Sequence, residues 1–366
     1  MNTSSQNHGW SATATADPSK EYDEERLSWT SGALPKKYMQ LLKLRRASVW
    51  LLLADLVIVL LVVHAFEPLI TLLVRNEELF GARLTLPLNG TSAADEHDHL
   101  HPIPRILHQT SATETIPDKW IQLQQSCKDS YSEFEYKHWT DESAREFIST
   151  EYPWFVEIWD NYAFPIQRAD AIRYFVLDHF GGLYLDMDTL CNETIPFSQI
   201  EADGEEHHAV FKSTTPTGVS NDLMITSAHH PVFAQTLSRL KFYNSITRLW
   251  APLLPHAAIM IGSGPFFLTM VIKNYLLQDP APAAHAIQVI NATELAIYIT
   301  DLEDSSWHNG DTKTLMWVGD RPWVWFSLGA IGLAIGLQII NYFIVLTFKG
   351  CNKLPSVAAS KVAKLV

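Results

Sequence analysis

The sequence predicts an α/β domain with a mainly parallel sheet, held between two membrane-spanning helices. Three observations lead there. Helical and strand patterns alternate between residues 103 and 311. A long apolar run flanks that region on each side. Within it, an apolar strand pattern ends in the paired carboxylates of GGLYLDMDTL, residues 181–190.

Taken in order, residues 1–47 are a polar tail rich in Ser, Thr and acidic residues, a composition that predicts disorder. The tail closes with the basic cluster Lys36, Lys37, Lys43, Arg45 and Arg46. The apolar run that follows, 48–74, is broken by Asp55. Its first sixteen residues hold twelve Leu, Ile or Val. Together these favour insertion by about 5 kcal/mol, more than the roughly 3 kcal/mol that one central Asp costs. The run starts too far into the chain for a cleaved signal peptide and reads as a signal anchor. The second run, 323–348, carries no charge, and the basic tail 349–366 follows it. Basic residues next to both runs predict cytosolic termini and a lumenal central region.

Three sequons, at Asn89, Asn192 and Asn291, lie in that lumenal region, where Cys127 and Cys191 can also form a disulfide. Residues 75–102 read as a stalk. Its alternating His97, His99 and His101 suit a solvated linker better than a metal site. The net charge of −13 excludes nucleic acid as a partner.

The domain, 103–320, opens with IPRILHQT as a strand, followed by a helix that starts at Pro117. FEYKHWT reads as a strand, and the next helix is capped by Thr140 or Asp141. PIQRADAIRYFVLDHFGG is the clearest helix, begun by Pro165 and stopped by Gly181 and Gly182. The apolar segment 250–277 is interrupted by Pro252, Pro255 and glycines at 262 and 264. It predicts a core helix starting near Pro265 and not a third span.

On a strand, Asp186 and Asp188 would project to one face and repel each other without a cation between them. An EF-hand is excluded, because its fifth, sixth and twelfth positions would fall on Leu190, Cys191 and Phe197. An aspartyl-phosphate phosphatase fits poorly. Leu190 stands where that chemistry has Thr, and about eighty folded residues precede the pair. Hard Mn²⁺ or Mg²⁺, bound by carboxylate and diphosphate oxygens during sugar transfer, fits the pair best.

IPRILHQT, YKHWTDE, YPWF, PIQRADAIRYFVLDHFGGLYLDMD, GVSNDLM, SGPFF and SSWHNGD occur in that order. Together they resemble the glycosyltransferases with a D-x-D sugar-binding region, the yeast-type initiating mannosyltransferase family. Within it, the paired spans are most similar to members acting on inositol phosphorylceramide.

The resemblance implies a GT-A-like fold, GDP-mannose as donor, Mn²⁺ (with Mg²⁺ as the alternative), retention of configuration and a Golgi or ER–Golgi membrane location. It also implies inositol phosphorylceramide as acceptor and a multi-span regulatory subunit as partner. Carried over by motif, Asp170 and Arg173 hold the nucleotide ribose and the donor sugar or phosphates. Asp188 ligates the metal, and Asp186 holds sugar or ribose hydroxyls and ligates through water. Trp307 and His308 close over the diphosphate, with His308 completing the metal shell. Asn221 and Asp222 lie near the reacting sugar, and Asp222 is the candidate nucleophile of a double displacement. His108 and Gln109 end the first strand on the nucleotide side. Ser111 departs from the aromatic residue many relatives have there, which leaves base stacking unassigned. The alternatives are a mannosyltransferase for glycoprotein N-glycans and a non-catalytic membrane subunit that kept the fold.

Overall fold

The computed structural model describes residues 36–81, 84, 86, 102–202, 205–215, 217–280, 287–302, 317 and 321–351. Residues 1–35 of the polar tail, most of the stalk with its histidines, and the SSWHNGD segment lie outside these residues, whereas 36–47 are helical where the composition predicted disorder, because they open the long helix that runs into the apolar segment. The chain divides into two compact units, the first ending at Val57 and the second beginning at Ile58. The first contains the N-terminal half of helix α1 (Lys36–Val74), whose apolar side chains are largely exposed from Val49 onward.

The second unit holds the sheet, six-stranded among the described residues, in the order β2-β1-β3-β6-β5-β7. The strands are β1 (Ile106–Thr110), β2 (Glu135–Trp139), β3 (Gly182–Leu185), β5 (Ala209–Ser213), β6 (Val219–Thr226) and β7 (Gln288–Ile290). β1 runs parallel to both β2 and β3, and β5 to β7, whereas β6 is antiparallel to β3 and β5. The sheet is therefore mixed but mostly parallel, with β6 reversed. A separate antiparallel pair joins β4 (Thr189–Cys191) to β8 (Ile299–Asp301).

Alternation along the strands builds two apolar layers, one on each face. Tyr184, Phe211 and Met224 face helices α4 (Asp141–Glu151), α6 (Pro165–Phe180), α8 (Pro231–Arg248) and α10 (Pro265–Leu276). Leu183, Leu185, Val210, Leu223 and Ile225 face the layer of α3 (Asp118–Ser130), to which Cys127 and Tyr131 belong. A Cys127–Cys191 disulfide ties α3 to β4. Thr140 caps α4 through a reciprocal pair of hydrogen bonds with Ser143.

The glycine pair does more than stop α6. Gly181 and Gly182 have φ of 67° and 98°. A Cβ at Gly182 would stand 2.5 Å from the Ile106 carbonyl oxygen, so only glycine lets β3 enter beside β1.

Three segments are apolar enough to cross a membrane by length and composition: Ser48–Val74, Pro255–Leu276 and Phe326–Thr347. The first and third have windows with nothing buried inside the protein, whereas the second is 61% buried. It is also two helices, α9 (Pro255–Gly262) and α10, separated at Ser263 and Gly264. The third lies within the terminal helix Pro322–Cys351.

The core begins before residue 103. Leu72 of α1 and Phe80 of α2 (Asn76–Phe80) are buried in the same cluster as α6 and α10. Lys273 Nζ donates to the Pro68 carbonyl at 2.9 Å, and the Gly218 amide donates to Asn76 Oδ1 at 3.1 Å. Leucine runs read alike whether they meet lipid or protein, so composition places this boundary too late.

Candidate active site

A cavity of about 340 Å³ opens at the C-terminal ends of the three neighbouring parallel strands. Thr110–Ala112 at the end of β1, Trp139–Asp141 at the end of β2 and Asp186–Asp188 just after β3 all line it. Pro165, Ile166, Ala169, Ile172 and Arg173 of α6 form one wall, with Trp120 of α3 and Trp159 also present. Ligands of open α/β sheets bind at such strand ends.

The strand stops at Leu185. Asp186 and Asp188 stand in the turn between β3 and β4 and not on a strand face, and Thr189 N–H closes that turn on the Asp186 carbonyl at 3.2 Å. A cation of the chain's own already meets Asp186. Arg173 Nη1 lies 3.0 Å from Asp186 Oδ1, and Nη2 lies 3.3 Å from Asp170 Oδ1. The Tyr184 hydroxyl donates to Asp186 Oδ1 at 2.8 Å and meets Thr110 Oγ1 at 2.9 Å. Asp186 N–H is bonded to the Asp222 carbonyl at 3.0 Å.

Arg173 is buried and also donates to the Asn221 carbonyl at 2.7 Å. Burial pulls its pKa down, but Asp186, Tyr184 and Asp170 outweigh that and hold it above its ordinary value. Beneath it, Asp170 accepts from Asn221 Nδ2 at 2.9 Å and from Ser263 Oγ at 3.0 Å. Burial pushes the Asp170 carboxyl up, against the pull of Arg173 and these hydrogen bonds. Asp170 and Asn221 thus form a support under Arg173, while Arg173, Asp186 and Asp188 reach the cavity.

His108 and Gln109 are fully buried below the cavity. Trp139 Nε1–H donates to His108 Nδ1 at 3.1 Å. The imidazole proton therefore sits on Nε2, which bonds the Gly181 carbonyl at 2.9 Å. Burial lowers the His108 pKa to about 4 and keeps the ring neutral. Gln109 Oε1 accepts from the Tyr136 hydroxyl at 3.2 Å, and its amide points to the Asp186 carbonyl at 3.4 Å.

Asp222 lies on β6 with its carboxylate on Lys212, and Lys212 also holds Asp301 of β8 at 3.0 Å. Burial pushes the Asp222 carboxyl up to about 6, against the pull of Lys212. Leu302 N–H donates to the Asp188 carbonyl at 3.3 Å, so the chain leaves β8 beside the turn. Trp307 and His308 lie outside the described residues.

No group of three His, Cys, Asp or Glu is arranged for a metal among the described residues. The donor set nevertheless suits Mg²⁺ or Mn²⁺. Such ions take one or two carboxylates and complete their shells with phosphate oxygens and water. Asp186 and Asp188 supply two carboxylates at the cavity wall with one guanidinium between Asp186 and Asp170.

The sequence motifs do not single out Trp120, Trp139 and Tyr184. Trp139 and Tyr184 sit at or next to the C-terminal ends of predicted strands, where ligands bind in this class of sheet. Ser111 also lines the cavity, with its hydroxyl on His138 Nε2 at 2.7 Å.

Residues 117–206 match the glycosyltransferase sugar-binding region containing a DXD motif. The chain is 33% identical over 271 residues to mannosyl phosphorylinositol ceramide synthase CSH1 of Saccharomyces cerevisiae, covering 72% of this chain and 69% of that one. It is 39% identical over 222 residues to inositol phosphoceramide mannosyltransferase 2 of Schizosaccharomyces pombe, covering 59% and 61%. It is 38% identical over 218 residues to mannosyl phosphorylinositol ceramide synthase SUR1 of Saccharomyces cerevisiae, covering 58% and 54%. The matches thus span between 54% and 69% of these relatives' own lengths.

Proposed function

This chain belongs to the glycosyltransferases whose sugar-binding region contains a DXD motif, and from that premise we propose that it transfers mannose from GDP-mannose to the inositol headgroup of inositol phosphorylceramide. The observation that carries the reading is the Asp186–Asp188 turn. It is oriented by Arg173 and Tyr184 on a cavity at three parallel strand ends. The relatives' names supply mannose and the lipid acceptor.

In the reaction, the bond from the anomeric carbon to the diphosphate breaks and a bond to an inositol oxygen forms. The inositol proton leaves with the diphosphate. Asp188 and Asp186 would hold Mn²⁺ or Mg²⁺, which when bound would supply Lewis-acid stabilisation of the diphosphate charge. Arg173 keeps Asp186 aimed and adds a fixed positive charge at the cavity wall, which needs no reorganisation as charge develops. Trp307 and His308 are assigned to closure over the diphosphate.

Retention follows by front-face attack. The departing diphosphate takes the proton, and no carboxylate nucleophile is required. The pairing of Asp222 with Lys212 supports this over double displacement, as does its place outside the cavity lining.

The apolar segments Ser48–Val74 and Phe326–Thr347 are read as the two spans, with cytosolic termini and a lumenal catalytic domain in the Golgi membrane. Both are also docking sites for a multi-span regulatory subunit. A lipid acceptor confined to the same bilayer meets the domain at raised effective concentration.

The test uses membranes containing the full chain, labelled GDP-mannose, inositol phosphorylceramide and Mn²⁺. Label should enter the lipid and fall about a thousandfold in Asp188→Ala or with chelator, as losing several kcal/mol requires. Label in glycoprotein, with the lipid bare, would refute the acceptor. Transfer indifferent to chelator and to Asp188→Ala would refute the role given to the turn.

A further inference from the structure

We propose that Asp141 selects the base of the donor nucleotide, recognising guanine by its two adjacent ring-edge donors. This rests on the guanosine-diphosphate donor of the preceding reading and adds a residue to it.

β2, β1 and β3 are neighbours and parallel, so the segments that follow them stand in a row along one cavity. Neighbouring strands lie about 4.8 Å apart, which sets the segments after β2 and β3 roughly 10 Å from each other. A nucleoside has that reach from its phosphates to the outer edge of its base. With the diphosphate at the Asp186–Asp188 turn, the base falls at the end of β2.

The end of β2 has the matching chemistry. Trp139 is fixed in orientation by its hydrogen bond to His108 and backed by Phe147 and Phe180, with ring centroids 5.2 and 6.0 Å away. Trp120 lines the same cavity. Aromatic faces accept any base and so provide binding without choice. The choice falls to Asp141, whose side chain is 42% exposed on the cavity wall. Arg168 Nη2 donates to its Oδ2 at 3.0 Å and fixes the carboxylate.

A carboxylate only accepts. Guanine offers N1–H and the exocyclic N2–H side by side, which a carboxylate takes together. Adenine presents an acceptor next to its amine. Uracil presents one donor between two carbonyls. Either would set an acceptor against Asp141, and such mismatches are what a hydrogen-bonding site rejects most strongly.

The experiment measures binding of GDP, inosine diphosphate and UDP to the full chain in detergent micelles by tryptophan fluorescence. Inosine diphosphate lacks only the exocyclic amine. GDP should bind at least about tenfold more tightly than either competitor, the ratio expected for one lost charge-assisted hydrogen bond. Asp141→Asn should bring GDP and inosine diphosphate to equal affinity while UDP stays within about twofold. Asp141→Glu should keep part of the preference, which separates recognition from a folding defect.

Equal wild-type affinity for GDP and inosine diphosphate would overturn the proposal even if neither variant folds. So would a GDP preference that survives Asp141→Asn. GDP preferred over UDP without an inosine penalty removes only the role of Asp141. UDP preferred over GDP removes the donor reading as well.

Discussion

Asp186 has more partners than its place in a turn suggests, and each is open to a single substitution. The Tyr184 hydroxyl is a hydrogen-bond donor to Asp186 that can be removed without changing ring volume. A hydrogen bond to a charged group contributes about 1.5–3 kcal/mol. Tyr184→Phe should therefore lower mannose transfer by the folded enzyme about tenfold to a hundredfold. Transfer equal to wild type would mean that Arg173 alone orients the carboxylate. His108 gives a different readout, because it does not itself line the cavity and acts through Trp139 and Gly181. Its folded pKa lies near 4 against 6.5 for the free side chain, so between those values the unfolded chain binds more protons. Stability must then fall as pH drops through that window, by up to about 3 kcal/mol from this group. His108→Gln should flatten that slope in unfolding titrations between pH 4 and 6.5, and an unaltered slope would place the acid sensitivity elsewhere.

At the scale of elements, the helices of the first half were legible because each carries its own punctuation. Pro117, Thr140 and Pro165 open three of them, and the Gly181–Gly182 pair closes the third. The D-x-D was legible as chemistry but misplaced by one step, since the strand pattern continues in sequence where hydrogen bonding ends at Leu185. What no local pattern carries is long-range pairing. β4 finds β8 more than one hundred residues later, and that pairing fixes the C-terminal side of the Asp188 turn. The buried Asp170–Arg173–Asn221 support was only half visible. Helical spacing put Asp170 and Arg173 on one face, but nothing local showed that Asn221 and Ser263 would satisfy them. The disulfide sits at the same junction, joining α3, which carries Trp120, to β4. A native cross-link closing a loop of this size adds about 2–4 kcal/mol. Cys127→Ser should lose that much in denaturant unfolding. Adding reductant should bring wild type to the same value while leaving the variant unmoved. Equal stability of oxidised wild type and Cys127→Ser would mean the bridge does not hold these elements together.

At the scale of the whole molecule, the last turns of α1 belong to the catalytic core and are not a free tether. Leu72 is fully buried among residues of the main cluster, and Phe80 is 3% exposed there. Burying two such side chains contributes about 3–6 kcal/mol in total. The buried Lys273 donates to the Pro68 carbonyl, so removing α1 also strips an ammonium group of an acceptor. No linker separates these turns from the apolar residues before them, because α1 continues unbroken from Lys36 to Val74. A domain cut at residue 103, where motif reading begins it, should therefore be unstable or aggregate. A chain starting at residue 58 and kept in detergent should unfold cooperatively near the full-length midpoint. Within the full chain, Leu72→Ala should cost about 2–5 kcal/mol, the range for a large core side chain cut to a methyl. Leu73→Ala, one residue along and 54% exposed, should cost little. If the two substitutions prove equally mild, and the domain cut at 103 is as stable as the longer chain, the helix end does not belong to the core. Activity after cutting would then report tethering alone. If Leu72→Ala unfolds the domain and Leu73→Ala does not, the anchor and the active site share one core, and a change in the first is felt in the second.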